Sequence, residues 1–501
     1  MNTKKIIGER ARRFVNAHSF CLAAAMTAWL APLGTATAAT TNARPNILFI
    51  FADDLGWEDV GYQGADFYET PNIDRLATEG MVFSAGYAAA ANCVPSRACV
   101  LSGQYTPRHG VYAVGSTKRG PGNLMRLEPV PNTKQLAAEN VTMAEALKAA
   151  GYVTGHFGKW HIGSEKPGSG TGPLDQGFDV SMDKNHNGVG ANEDPKAIYA
   201  ITKAACNFIE ANKDRPFFAY VAHHAIHVDQ QARQATLDRF SAKEPGKQHK
   251  DPLYAGCIYD LDDGVRILLA KLHDLGLDDR TLVVFTSDNG GTRTSSQEPL
   301  RGNKGCYYEG GIREPFIMRW PGVVKPGSRC DVPVIIVDLY PTFLAAAGAA
   351  TPRGKVLDGE SLLPLLRGET SLKRTSLFWH FPGYLDDPVI RGRDPVFRSR
   401  PVSVINQGDW KLHLYLEEWQ LDGGRAKLAT NHAVELYNLK DDIGERHDLA
   451  NQNIAKRDEM LDNLLAWQKA IKAPIPTQPN PKYAPGTAPK GKIKKSSQGD
   501  D

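Results

Sequence analysis

The sequence predicts an α/β fold: a large, mostly parallel sheet flanked by helices, followed by a smaller C-terminal domain of antiparallel strands and a helix. Three observations carry this. Apolar runs such as residues 46–52 are continuous rather than alternating, as in strands buried on both faces. Helical stretches stand between these runs, supplying the crossovers a parallel sheet needs. Beyond about Phe378, apolar and polar residues alternate, as in antiparallel strands with one covered face. The 501 residues, 42% hydrophobic and 23% charged, are enough for one large and one small domain. Their boundaries read as 44–375 and 376–473.

Residues 1–38 read as a secretory signal peptide. A basic start precedes an apolar stretch at 20–33, and Ala36-Thr37-Ala38 forms an A-x-A cleavage site. Pro32 and Gly34 cut the stretch short of a membrane span. The expectation is export, to a bacterial periplasm. This leader carries Lys4, Lys5, Arg10, Arg12 and Arg13 against Glu9, so it outweighs the whole chain's formal +3 and leaves the remainder slightly acidic. No basic patch for nucleic acid is implied. Of the seven cysteines, Cys21 falls in the leader and the rest are widely spaced, without a zinc pattern or disulfide framework. One or two disulfides have room to form, with no pairing indicated.

The first strand ends in Asp53-Asp54. Carboxylates at the carboxyl end of a buried strand lie where α/β sheets put their ligands. Unpaired they repel, and a hard divalent cation resolves this. A helix-capping Asp beside a surface Asp explains the pair as well. Thr70-Pro71-Asn72 opens a helix that Gly80 stops. Next comes Cys93-Val94-Pro95-Ser96-Arg97, with Pro95 in a first helical turn and an apolar run at 98–101. Cys93 then sits at a helix N-terminus, among free N–H groups. Arg97, one turn on, is positioned to aim its guanidinium at the same point. That is an anion site beside a potential nucleophile, or else a buried, inert cysteine.

Thr142 and Glu145 form a capping box for a helix ending at Gly151. Residues 152–157 read as a strand, followed by Gly158-Lys159-Trp160-His161. On a strand-like backbone Lys159 and His161 face one side, two donors suited to an anion. The plain alternative is a solvated Lys and a packed His. A helix at 197–211 and a strand at 216–222 lead to His223-His224-Ala225-Ile226-His227. A zinc pair here lacks a third ligand in a recognisable motif. The amphipathic helix at 254–272 carries Asp260, Asp262 and Asp263, read as structural. The strand at 281–287 ends in Asp288-Asn289, a second carboxylate at a strand terminus. With Asp53 and Asp54 it makes an oxygen set suited to Ca²⁺. Lys304 precedes Tyr308-Glu309-Gly310-Gly311-Ile312-Arg313-Glu314-Pro315, then a strand at 316–320 and a helix starting near 337. Strands at 402–405, 410–416 and 434–437 and a helix at 454–473 form the small domain. The tail 474–501, rich in Pro, Lys, Gly and Ser, is expected to be disordered.

C-V-P-S-R followed by A-x-x-L-S-G resembles the signature of the type I sulfatases, in the alkaline phosphatase superfamily. G-K-W-H-x-G from Gly158, H-x-x-H from His224 and Y-E-G-G-x-R-x-P from Tyr308 follow in that family's order, within about 45–449. Ile226 and Val228 stand where the family has Pro nearby. The resemblance implies an alkaline phosphatase-like fold, sulfuric ester hydrolysis, and a formylglycine made from Cys93 by a maturase. It implies catalytic roles for Cys93, Arg97, Lys159, His161, His227 and Lys304, with Lys159, His227 and Lys304 binding substrate. It implies one Ca²⁺ on Asp53, Asp54, Cys93, Asp288 and Asn289. Family precedent has Asp288 or the metal activate one hydroxyl of the hydrated aldehyde, and His227 or Lys304 protonate the leaving alkoxide. His109 either takes the second hydroxyl's proton or braces its loop. Glu309 and Arg313 hold structure. Exported bacterial members point to a sulfated glycan as substrate, with residues 379–382 and 391–393 as sugar contacts or ordinary surface. The rival readings are a phosphomonoester or phosphonate hydrolase of the same superfamily, and a non-catalytic glycan binder. The second is disfavoured because Cys93 and the carboxylates are all retained.

Overall fold

The computed structural model describes residues 44–164, 166, 168–183 and 193–485. The leader and its cleavage site lie outside them. The large sheet comprises β1 (Asn46–Ala52), β2 (Met81–Phe83), β3 (Val153–Gly158), β4 (Val180–Met182), β5 (Phe217–Ala222), β6 (Thr281–Ser287), β7 (Phe316–Arg319) and β8 (Ser328–Cys330). Their spatial order is β4-β3-β5-β1-β6-β7-β2-β8. Neighbours are parallel except at β7, which runs against both β6 and β2. The alternate residues of β1 explain its continuous apolar run. Ile47, Phe49 and Phe51 enter one core, while Leu48, Ile50 and Ala52 enter the core on the opposite face.

Helices cover both faces. The first core takes side chains from α2 (Cys93–Ser102), α3 (Met143–Ala149) and α6 (Leu339–Ala346). The second takes them from α1 (Pro71–Glu79), α4 (Ile198–Ala211) and α5 (Pro252–Asp274). The capping box is present: Thr142 and Glu145 exchange side-chain and backbone bonds at the start of α3. The carboxylates of α5 are structural. Asp260 accepts from Arg233 and Thr236, and Asp262 caps α1 by accepting from the N–H groups of Asn72 and Ile73.

A second sheet, antiparallel throughout, runs β9 (Ser376–Phe381), β10 (Val402–Gln407), β11 (Trp410–Tyr415) and β12 (Val434–Asn438). Its Leu377, Trp379 and Phe381 join the first core, and other residues pack with α7 (Ile454–Ala470). Five buried titratable side chains tie this sheet to the helical turn Glu309–Ile312. Lys411 Nζ bridges Glu309 (2.8 Å) and Glu445 (3.0 Å); His413 also meets Glu445, and Arg313 meets the other Glu309 oxygen at 2.8 Å. Glu309 and Arg313 therefore hold structure, through charge pairs that no solvent screens.

Three expectations are corrected. The tail does not leave the protein at Pro474. The Pro474 carbonyl accepts from His380, Glu128 N–H donates to the Gln478 carbonyl, and Asn480 bonds the carbonyls of Gly122 and Met125. Backbone bonding, which composition does not encode, outweighs its polar make-up up to Ala484. No disulfide forms among the described residues, where six cysteines are free and buried. The suggested sugar contacts are committed elsewhere. Trp379 is buried and donates to the Ala88 carbonyl, and His380 bonds Ser403. Arg391 pairs with Glu298, and Arg393 with Glu418 and Glu435.

Buried histidines outside the cluster of strand-end carboxylates make the fold acid-sensitive. Burial lowers His109 from 6.5 to about 3, with Lys355 adding to it, and lowers His223 to about 3 and His380 to about 4. A depressed folded pKa means the neutral ring is what the fold accommodates. The stability is present above 6.5 and is lost as pH falls through the folded pKa. Each ring contributes a loss of up to about 1.4 kcal/mol per pH unit in that window. The expected result is a melting temperature that falls between pH 6.5 and 4, and falls less steeply in His380→Gln.

Candidate active site

Parallel register brings the strand ends level. Ala52 pairs with Ser287, Phe51 with Ala222, and Gly158 with Ala222. The residues that follow, Asp53, Asp288, Lys159 and His223, therefore emerge at one carboxyl edge. Cross-strand bonds fix them there: Asp288 N–H donates to the Ala52 carbonyl and Lys159 N–H to the Ala222 carbonyl at 2.7 Å. Gly158 makes this approach possible. It has φ +102°, and a Cβ there would lie 1.9 Å from the Ala222 oxygen. Asp54 turns through φ 65°, a left-handed conformation that brings the second carboxylate to the same edge as the first.

Cys93 begins α2 and is fully buried. Its sulfur and carboxylate oxygens of Asp53 and Asp288 all lie within 4.8 Å of one another. Lys159 Nζ is 2.6 Å from Asp53 Oδ2, and Lys304 Nζ is 2.9 Å from Asp54 Oδ2. Asn289 Nδ2 donates to Asp54 Oδ1 at 2.7 Å. His227 Nε2 stands 3.8 Å from Asp54 Oδ2, while its Nδ1 faces the Val228 carbonyl at 2.5 Å. Cys93, Asp53, Asp54, Asp288, Asn289, Lys159, His227 and Lys304 thus meet in one buried cluster.

Two local expectations differ. Arg97 is fully buried and braces carboxylates. Its Nε and Nη2 reach Asp288 Oδ2 at 2.9 and 2.7 Å, and Nη1 donates to the Lys159 carbonyl. A guanidinium in this interior is held by the nearest carboxylate rather than left facing an open anion site. His161 has φ 61°, so the strand-like alternation proposed for Lys159 and His161 does not hold. A left-handed turn carries His161 instead. Its pKa, lowered to about 3 by burial and then by Lys159 and Arg97, marks it as close to the cations. His109 braces its loop. Nε2 contacts Cys99 Sγ at 3.4 Å and Nδ1 accepts from Val111 N–H, so neither ring nitrogen has a partner in the cluster. His224 pairs with Asp183 at 2.7 Å.

Electrostatics separate the members. Burial pushes Asp53 up, yet Lys159, His227, Arg97 and Lys304 together hold it well below the usual carboxylate range. Burial pushes Asp288 well up, and the charge of Asp53 adds to this against Arg97. Burial lowers Lys304, but Asp54 overcomes it and keeps the ammonium charged. His227 falls to about 4 through burial and repulsion by Lys159 and Lys304, so at neutral pH its ring is neutral. Asp53 Oδ1 and Asn289 Oδ1 are buried without a hydrogen-bond partner. Buried oxygen acceptors left open beside clustered carboxylates fit a hard cation with oxygen ligands.

Two titratable residues near this edge were given no role in the sequence reading. Glu314 is fully buried with neither oxygen hydrogen-bonded, and burial, with Asp288 and Asp54 adding, raises its pKa well above the usual range. Lys196 is 3% exposed, and its ammonium feels both Asp53 and Lys159. Lys196 stands in no motif, and Glu314 fills a position that the Y-E-G-G-x-R-x-P pattern leaves open.

The family model described as Sulfatase matches residues 45–349, and one described as N-sulphoglucosamine sulphohydrolase, C-terminal, matches residues 302–470. A protein named Sulfatase from Formosa agariphila is 33% identical, over 86% of this chain and 90% of its own length. Human Arylsulfatase A is 32% identical, over 85% and 87%. The crystal structure of Ps i-CgsB in complex with k-i-k-neocarrahexaose matches with a TM-score of 0.69 at 29% identity, covering 87% of this chain and 94% of that one.

Proposed function

From the premise that this chain belongs to the sulfatase family and is a sulfuric ester hydrolase, we propose that it removes sulfate from a sulfated carbohydrate, after export, using a formylglycine made from Cys93 and one Ca²⁺. The observation that supports this most is the buried meeting of Cys93, Asp53 and Asp288 with Arg97, Lys159 and Lys304 around them. The carbohydrate part rests on similarity to Ps i-CgsB, whose structure holds a neocarrahexaose. Among the described residues no helix is long and apolar enough to cross a membrane.

Asp53, Asp54, Asp288 and Asn289, with the modified residue 93, would hold the cation. When bound there it would draw electrons from a sulfate oxygen and favour an ionised hydroxyl. The hydrated aldehyde at position 93 would supply one hydroxyl to attack sulfur and a second through which sulfate departs. Arg97 orients Asp288 and Asp53 and favours their charged forms. Lys159 and Lys304 release their carboxylates in part to meet the sulfate oxygens, where their charge opposes the charge that develops. Between the two candidates for leaving-group acid, the ionisation favours Lys304: it carries a proton at neutral pH, whereas neutral His227 with Nδ1–H facing the Val228 carbonyl offers Nε2 as an acceptor. His161 is neutral and lines the cationic side.

The test is release of sulfate from aryl and sugar sulfates beside release of phosphate or phosphonate from matched esters. Sulfate esters are expected to be preferred; a preference for phosphonate or phosphate esters would establish the rival superfamily reading. Lys304→Ala is expected to lose far more rate on sugar sulfates, whose alkoxides leave poorly, than on aryl sulfates. An equal loss on both assigns Lys304 to charge stabilisation alone.

A further inference from the structure

Lys196 carries a charge that the site just described leaves unanswered. Helix α4 returns the chain to β5, which is parallel to β3. A crossover helix runs against its strands, so the N-terminus of α4 lies at the carboxyl edge that holds Asp53 and Lys159. Packing agrees. Ile201 lies against Gly158, and Thr202 Oγ1 is 3.1 Å from His223 Nε2. Asp194 caps the helix by accepting from the N–H groups of Tyr199 and Ala200.

Just before α4 the backbone does something costly. Lys196 and Ala197 are both left-handed, at φ 51° and 53°, although neither is glycine. Each such residue costs on the order of 1–3 kcal/mol, and such strain clusters where function requires it. Gln231 Oε1 holds the turn by accepting from Lys196 N–H at 2.9 Å. The result is a lysine lying inward, 3% exposed. Among the described residues its ammonium has no ion pair and no hydrogen bond, whereas Asp53, Asp54 and Asp288 are each engaged by another cation. The contrast with Lys411 is informative: that lysine is fully buried and has two carboxylates. An ammonium on a buried side chain with no carboxylate paired to it gains from a ligand that supplies negative charge. Burial lowers the pKa of Lys196, Lys159 adding to this while Cys257, Asp53 and Asp229 oppose it, so its charge acts within the same edge.

We infer that Lys196 is a substrate-recognition residue: its ammonium receives a second anionic group, a sulfate or a carboxylate, carried by the sugar being desulfated or by its neighbour. This rests on the sulfated-carbohydrate reading. Lysine suits the task as a mobile point charge that accepts either anion without a fixed geometry. It also gives the pocket a preference that Lys159, Arg97 and Lys304 do not provide, since those three answer the Asp carboxylates and the scissile sulfate.

The experiment compares methyl glycosides carrying one sulfate, two sulfates, or one sulfate and a uronate carboxylate. The readout is the ratio of kcat/KM for each two-anion glycoside to that for the one-sulfate glycoside, taken within each variant so that any loss of folded enzyme cancels. In Lys196→Met this ratio is expected to fall at least tenfold, mainly through KM, and Lys196→Arg is expected to restore most of it. The arm that falls identifies the anion. If neither ratio changes while the wild-type enzyme hydrolyses the glycosides, Lys196 is not a recognition residue and the sulfatase reading stands. If the wild-type enzyme hydrolyses none of them but turns over aryl sulfates, the carbohydrate reading fails and takes this inference with it.

Discussion

Cys93→Ala is expected to abolish sulfate-ester turnover, with kcat falling by about 10⁴-fold or more, the scale on which losing a covalent nucleophile acts. The argument starts from position. Cys93 opens a buried helix, where free N–H groups favour an anion, and its sulfur lies within 4.8 Å of carboxylate oxygens of Asp53 and Asp288. Trimming one sulfur from a fully buried position leaves only a small cavity, so the variant is expected to fold. The companion measurement is the mass of the tryptic peptide that ends at Arg97. Conversion to formylglycine exchanges one sulfur and two hydrogens of Cys93 for one oxygen. An active wild-type enzyme whose peptide carries only unmodified cysteine would defeat the mechanism.

The second large effect is removal of the cation. Chelation is expected to stop turnover, and Ca²⁺ to restore it. Three carboxylates that are fully buried, with two acceptor oxygens lacking hydrogen bonds, form an expensive arrangement. Lys159, Lys304 and Arg97 offset much of that cost by pairing with them. A bound divalent ion would offset the rest and free the lysines for the sulfate. Calcium at 100 times its Kd would add about 2.7 kcal/mol of stability, read as a rise in melting temperature that needs no catalysis. Asp288→Ala and Asp53→Ala are each expected to lose that rise and to lower kcat by at least about 10²-fold. Should either keep both the calcium response and full turnover, these residues are not the cation's ligands.

The sequence by itself determined the scaffold and the edge at which chemistry gathers. A run such as Asn46–Ala52, apolar at every position, belongs in a sheet covered on both sides, and the structure sends its alternate residues into two cores. The polar residues that end such runs, Asp53-Asp54 after β1 and Asp288-Asn289 after β6, had to emerge together once parallel register made the strand ends level. Cys93, Lys159 and His227 were legible for a different reason: each stands in a short motif that resembles one of the family's, and Lys304 shortly precedes another.

Tertiary structure decided the pairings. Arg97 and Asp288 are 191 residues apart, and nothing near either one says that the guanidinium serves the carboxylate rather than an incoming anion. His161 looked like the partner of Lys159 on an alternating strand, but the strand had already ended at Gly158 and the backbone turned left-handed. Trp379 and His380 resembled sugar contacts by type and are core by location. The stretch at 474–484 resembled a disordered tail by composition and is held by hydrogen bonds to residues far earlier in the chain, Gly122 among them. Lys196 is the sharpest case: a single lysine before a helix has no pattern, and its meaning lies in being turned inward without a counter-charge. Local periodicity records which face a residue takes and where an element ends, whereas an ion pair or a docked strand depends on what the rest of the chain brings beside it.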